Sequence, residues 1–478
     1  VKHRKIALFL TLAVLLVGVT VFAQQSGGGY TLHGVITGGG GVSTGGAFEI
    51  GGSAGQPIAS DRLSGGAYTL TTGYWSIPTL NLINNGDFGD AISTTSGNMN
   101  WVTFAQPPTA IQHRVQNGVF EFSRQIGSTQ AVVFQNTNQP LPSNAPMRVT
   151  FQLGNTSPNT RRALVMLHDA NFQDSQICSF WLPGNTPLRT YQMLTKTTQA
   201  WTDASMSIYA STQSPDGEGY YQVDNVVFQY EPSLTLNETL CIDPGAPAPG
   251  VGADSQNLLT NSDFSLPLNP ASPINAWAYY PASTINAQIV GGVAQIYRTG
   301  TPRGVLFQQV PTVTNAGTTL EATMQIGNGD SRRMRVLVLI HKANFGDLGA
   351  CAFWLAPNTP PQNYTMRMYS LIPWTDGTAI SIYPDTLYTS PAPTVGLQVD
   401  NVTLRQRPST AVVGTECYPP GSAPSQQAEF EAMLQQLQPT LNPTATPVLP
   451  PGELPILATP VPFIGQESAN SEGSLGGE

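Results

Sequence analysis

An internal duplication constrains this chain more than any other feature. The run Asn81–Phe88 (Asn-Leu-Ile-Asn-Asn-Gly-Asp-Phe) returns as Asn257–Phe264 (Asn-Leu-Leu-Thr-Asn-Ser-Asp-Phe), 176 residues on. Trp101 pairs with Trp277 at the same offset. His168–Asp174 then matches His341–Asp347 at an offset of 173, so three residues have been lost in between. Cys178–Leu182 matches Cys351–Leu355, Trp201–Asp203 matches Trp374–Asp376, and Gln222–Val226 matches Gln398–Val402 with the offset restored to 176. Each copy is about 165 to 170 residues long, too long for a solenoid repeat and right for a complete domain. The expected organisation is one domain at 81–242, a linker at 243–256 and a second domain at 257–420.

Within a copy, strand signals dominate. Arg162–Leu167 and Arg335–Ile340 are short apolar runs, as in a central strand covered on both faces, and that requires two packed layers. Cys178, Phe180 and Leu182 alternate with Ser179 and Trp181, and Cys351, Phe353 and Leu355 alternate with Ala352 and Trp354. A period of two turns each tryptophan away from the cysteine face. Gly 47 and Pro 40 favour many turns over long helices. The fold class expected is all-β, two tandem β-sandwiches of jelly-roll type. The four cysteines fall two per copy, Cys178 with Cys241 and Cys351 with Cys417, separated by 63 and 66 residues. In an exported protein, matched pairs are expected to form one disulfide each. Metal ligation is the alternative, but no Cys-x-x-Cys or clustered histidine accompanies them.

The flanks read differently. Lys2, His3, Arg4 and Lys5 precede the apolar run Ile6–Phe22, and Val21 with Ala23 gives the small-residue spacing of a signal-peptidase site. Residues 1–23 are therefore expected to be a signal peptide, with an uncleaved anchor as the alternative; Val1 in place of Met points to a bacterial start codon. No later stretch is apolar for long enough to span a bilayer. Residues 24–80 repeat a Gly-Gly-x-aromatic or Gly-Gly-aromatic theme at Gly28–Leu32, Gly45–Ile50 and Gly65–Leu70, ending at Tyr74-Trp75; this reads as β-hairpins or a Gly-rich spacer. In 421–478, Ala428–Leu437 has helical spacing, and a Pro-rich, low-complexity tail from Pro439 is expected to be disordered.

The opening Asn-Leu-[Ile/Leu]-x-Asn-x-Asp-Phe, the tryptophan some 13 residues beyond it and the closing Val-Asp-Asn-Val resemble the ends of galactose-binding-like jelly rolls, in particular carbohydrate-binding modules of the cenC type. The resemblance implies a structural calcium, a cation that takes hard oxygen ligands, held by an acid just after the opening Phe and by the Asp of the closing strand. Asp224 and Asp400 match the closing Asp, but Gly89 and Ser265 stand where the first acid is expected, leaving Asp87 and Asp263 as substitutes. The resemblance also implies sugar rings stacked on aromatic side chains. The candidates are Trp181, Trp354, Trp201, Trp374 and, in the first copy only, Tyr220 and Tyr221; against them stands the ordinary role of a strand aromatic as core.

Two Gly-x-Ser-x-Gly matches, at Gly41–Gly45 and Gly51–Gly55, fall in a Gly-rich segment without the strand-turn-helix context a nucleophile of that type needs. Net charge is −9 and only 10% of residues are charged, which argues against nucleic acid as a partner. The resemblance implies a secreted, noncatalytic protein that binds cell-surface or environmental polysaccharide. The alternative is a structural or adhesive surface protein whose sandwiches contact protein neighbours or act as spacers.

Overall fold

The computed structural model describes residues 81–422, apart from 91, 93–99, 216, 233, 271, 301–302 and 387–394, together with the backbone of six strands between 22 and 71. Residues 1–21 of the expected signal peptide, Tyr74-Trp75, the expected helix at 428–437 and the Pro-rich tail lie outside the described residues. The chain divides into two compact units, 1–80 and 81–478. In the first, antiparallel hairpins pair Phe22–Gly27 with Tyr30–Val35, Gly41–Gly45 with Phe48–Gly52 and Arg62–Gly65 with Tyr68–Thr71. Each aromatic of the repeated theme, Tyr30, Phe48 and Tyr68, opens a second strand.

The second unit holds both copies, each a sandwich of two sheets. In copy one a five-stranded sheet runs in the order Ser175–Leu182, Arg161–Asp169, Ala204–Ala210, Gln130–Asn136, Val102–Gln106. In copy two the equivalent order is Leu348–Leu355, Met334–Lys342, Thr378–Pro384, Val305–Val310, Ala278–Tyr280. The opposing layers of both copies belong to a single 13-stranded sheet. It is made continuous where Thr239–Ile242 pairs antiparallel with Gly414–Tyr418, with Cys241 opposite Thr415 and Cys417 opposite Thr239. The seam needs a glycine: a Cβ at Gly414 would lie 1.9 Å from the Cys241 carbonyl oxygen.

Alternation along the strands builds the cores. In Pro146–Asn155 the residues Met147, Val149, Phe151 and Leu153 are buried while Arg148, Thr150 and Gln152 face outward. Phe180 and Leu182 join them, and the Cys178–Cys241 disulfide ties the five-stranded sheet to the seam strand. Cys351–Cys417 does the same in copy two. Both apolar strands, Arg161–Asp169 and Met334–Lys342, are covered on both faces: Val165 and Leu167 enter the copy-one core, while Leu164 and Met166 enter a separate cluster. That third cluster draws from both copies, adding Val132, Ile177 and Tyr209 from one and Leu337, Leu339, Leu348, Ala350 and Ala352 from the other. The two five-stranded sheets thus bury apolar residues of their second faces together. Among the described residues no helix is long and apolar enough to cross a membrane.

Candidate functional site

Trp181 and Trp354 do lie on the faces opposite the disulfides, where Trp181 packs against the third cluster and both rings bond to the other copy. Trp181 Nε1 donates to the Leu348 carbonyl at 2.9 Å, and Trp354 Nε1 donates to the Ser175 carbonyl at 2.8 Å. The arrangement is reciprocal: each ring belongs to one copy and bonds the first residues of the equivalent strand in the other. Arg333 lies 4.0 Å from the centre of the Trp354 ring, and Arg162 lies 5.7 Å from that of Trp181. The period of two correctly turned these side chains away from the core. What it could not show is that a second copy meets them there.

Trp201 and Trp374 are only 2% and 0% exposed and offer no ring face to a ligand. Each Nε1 donates to a buried carboxylate, Asp174 Oδ2 or Asp347 Oδ2, at 2.8 Å. These two aspartates were not singled out from the sequence, although the repeated His-x-Ala-Asn-Phe-x-Asp followed by Trp-Thr-Asp carried the signal. His168 and His341 are buried as well, with Nε2 against Ser207 Oγ and Ser381 Oγ at 2.8 Å. Phe172 and Phe345, both at φ +58, stack on them at 4.0 and 3.9 Å. Asn171 and Asn344 accept from Gln173 N and Gly346 N, closing turns. Burial lowers both imidazoles to about 4, so they are neutral hydrogen-bonding core groups at physiological pH.

Tyr221 is buried and donates its hydroxyl to the Arg162 carbonyl at 2.9 Å. Its neighbour Tyr220 is the one candidate aromatic of the six in neither core nor inter-copy contact, and it is partly exposed. Arg114, with 51% of its side chain exposed, places its guanidinium 4.5 Å from the Tyr220 ring centre. Arg114 Nε donates to Glu121 Oε2 at 2.6 Å, and Glu121 Oε1 accepts from Gln222 Nε2 at 2.9 Å. Strand register explains the row: Arg114 lies opposite Glu121, and Glu121 opposite Gln222. The backbone of Tyr220 is pinned by Thr156, whose Oγ1 accepts from Tyr220 N at 2.8 Å. Asn159 and Arg161 both contact the Glu218 carboxylate, and Arg161 Nη1 donates to the Gly219 carbonyl at 2.8 Å. The patch combines one aromatic ring with planar amide, carboxylate and guanidinium groups. It is absent from copy two, where Gly396 and Leu397 stand in place of Tyr220 and Tyr221.

The four carboxylates weighed for calcium form two equivalent pairs. Asp224 is raised by burial and by the nearby Asp87, and Asp400 by burial and by Asp263. Both oxygens of Asp224 accept from Asn225, and both of Asp400 from Asn401. Asp87 and Asp263 cap Gly89 N and Ser265 N. Among the described residues no three acidic, histidine or cysteine side chains gather in one place. With both oxygens of Asp224 and of Asp400 already engaged by Asn225 and Asn401, these pairs are poorly suited to an ion that takes six to eight oxygens.

No family model matches the chain, and no curated protein matches it. Among solved structures, one named "CBM4 structure and function" matches over 31% of this chain and 99% of its own, at 14% identity and a TM-score of 0.26. The CBM22-1–CBM22-2 tandem domain from Paenibacillus barcinonensis Xyn10C matches over 69% of this chain and 97% of its own, at 10% identity and a TM-score of 0.24. An agarase, AgWH50C, matches over 43% of this chain and 38% of its own, at 8% identity and a TM-score of 0.22. Likeness at this level supports no functional inference, which has to come from the residues.

Proposed function

We propose that this is a noncatalytic, extracellular carbohydrate-binding protein that holds polysaccharide on the outer face of the long sheet in copy one. The observation that carries the reading is the Tyr220 patch, with a partly exposed ring set among Arg114, Glu121 and Gln222. A ring supplies contact area for the apolar face of a sugar at low entropic cost, while amide, carboxylate and guanidinium groups pair with its hydroxyls. The two disulfides fit an oxidising compartment. The two copies share one continuous sheet, so the proposed binding face belongs to a single body. The test is a screen of the purified chain against a broad panel of soluble and insoluble polysaccharides, with and without calcium. Selective retention on one class supports the reading, and no retention on any refutes it.

A second reading is favoured by the reciprocal tryptophans, which spend the second faces of both five-stranded sheets on each other. A surface protein whose sandwiches act as a rigid spacer or contact protein neighbours has use for such a lock and none for a glycan. Failure on the polysaccharide panel together with capture of a defined cell-surface protein selects it.

A further inference from the structure

The duplication supplies its own control at one buried carboxylate. In copy one, Asp174 Oδ1 accepts from Thr198 Oγ1 at 2.6 Å and from Arg333 Nη2 at 3.1 Å, the arginine reaching across from copy two. The equivalent Asp347 keeps the other half of the arrangement, with Oδ2 accepting from Trp374 Nε1 at 2.8 Å and from Leu371 N at 2.7 Å. Its Oδ1 has no hydrogen-bond partner, although Asp347 is only 1% exposed. The sequence gives the reason. At the offset of 173, Leu371 stands where Thr198 would be, and Thr160 stands where Arg333 would be, so both donors to this oxygen are missing.

Asp347 lines a cavity of ≈ 20 Å³ between the copies, together with Ser179, Asp243, Tyr369 and Thr415. Ser179 Oγ, in a residue 7% exposed, is a second buried polar atom without a partner. Asp243 adds a second carboxylate, whose Oδ2 accepts from the Tyr369 hydroxyl at 2.8 Å. No lysine, arginine or histidine lines the cavity. Its room suits one water-sized occupant. Its lining offers five oxygen-bearing side chains, two carboxylates and three hydroxyls, donors that suit hard cations, while the Met368 sulfur accepts from Gly349 N, Cys241 is held in its disulfide and Trp181 Nε1 donates to the Leu348 carbonyl. Burial raises both Asp347 and Asp243, outweighing the hydrogen bonds to each and, for Asp243, the nearby Arg189.

We propose that this cavity binds one hard cation of the alkali or alkaline-earth class, which does for Asp347 what Arg333 does for Asp174. The site stands apart from the carbohydrate reading, and neither depends on the other. The test follows thermal unfolding of the full chain in a buffer whose only cation is tetramethylammonium. Sodium, potassium and calcium chlorides are then added separately at constant ionic strength. The expected result is a saturable rise in Tm with one of the three, about 4 °C at a hundredfold excess over Kd. That rise is lost in Asp347→Asn and kept in the Asp224→Asn, Asp400→Asn double variant. If Asp347→Asn does not fold, Thr160→Arg replaces it: restoring the missing guanidinium should raise Tm without added cation and abolish the response. No saturable rise in the wild type, or a rise that persists in the Asp347 variant or vanishes in the Asp224, Asp400 variant, overturns the proposal.

Discussion

Replacing Trp181 by alanine removes one half of the lock between the copies, and its cost can be worked from the contacts. A fully buried tryptophan cut to alanine costs about 3–5 kcal/mol, and this ring is partly buried, so roughly 2 kcal/mol is expected from lost packing. The 2.9 Å bond to the Leu348 carbonyl adds about 1 kcal/mol, for a total near 3. At about 2 cal/mol/K per residue, a body of roughly 340 residues has an unfolding entropy near 0.7 kcal/mol/K, so Tm falls by about 4 °C. Trp354→Ala, which loses the 2.8 Å bond to the Ser175 carbonyl and the Arg333 guanidinium 4.0 Å from its ring centre, should cost at least as much. Scanning calorimetry is the assay. Each single variant should lower Tm, and the double variant should broaden or split the transition as the sandwiches begin to unfold separately. If both single variants stay within 1 °C of wild type and the transition keeps its width, the tryptophans do not couple the copies and the argument fails.

Three further outcomes follow from the buried groups. His168 and His341, held near 4 when folded against about 6.5 unfolded, stay neutral while the unfolded chain takes up protons. Their contribution is therefore complete above pH 6.5 and is lost as pH falls toward 4, by up to about 3 kcal/mol each. Urea titrations at pH 7.5 and 5 should show this loss, and a His168→Gln, His341→Gln double variant should flatten it. Trp201→Phe keeps a ring but removes a donor to Asp174 at a cost of about 2 kcal/mol, and Trp374→Phe should cost more because Asp347 has fewer other donors; chemical denaturation ranks them. Cys178→Ala with Cys241→Ala opens a loop of 63 residues and should cost about 4 kcal/mol in the chain-entropy account, with the Cys351, Cys417 pair alike. Equal stability with and without a reducing agent would contradict it.

Local patterns carried most of the fold. The apolar run Arg162–Leu167 marked a strand covered on both faces, and the alternation through Cys178–Leu182 placed the cysteine and the tryptophan on opposite faces. Even cysteine pairs gave the disulfides. What lay beyond reach was what covers the second face, because strand periodicity fixes a side chain's direction and says nothing of a partner more than 160 residues away. Leu164 and Leu337 look alike whether they meet a sugar, a protein or each other. The seam between Thr239–Ile242 and Gly414–Tyr418 was hidden for a related reason: each strand is short, and each sits where its copy was expected to end. Among the aromatics, Trp201 and Trp374 are placed by carboxylates 27 residues earlier, a pairing that repetition could have suggested and composition could not. Tyr220 and Tyr221 are both present in one copy only, yet Tyr221 is buried in the core and Tyr220 is not, a difference that repetition could not show.

The most direct test of the central claim compares wild type with Tyr220→Ala on whichever polysaccharide the wild type retains, by affinity electrophoresis or calorimetry, with Trp181→Ala alongside. Tyr220 is partly exposed and outside every core cluster, so its removal should leave the fold intact. Loss of one aromatic contact of about 1.5 kcal/mol predicts at least a tenfold rise in Kd for Tyr220→Ala. Trp181→Ala should bind as the wild type does wherever it remains folded. Binding unchanged in Tyr220→Ala and lost in a folded Trp181→Ala would contradict the account and place the site between the copies.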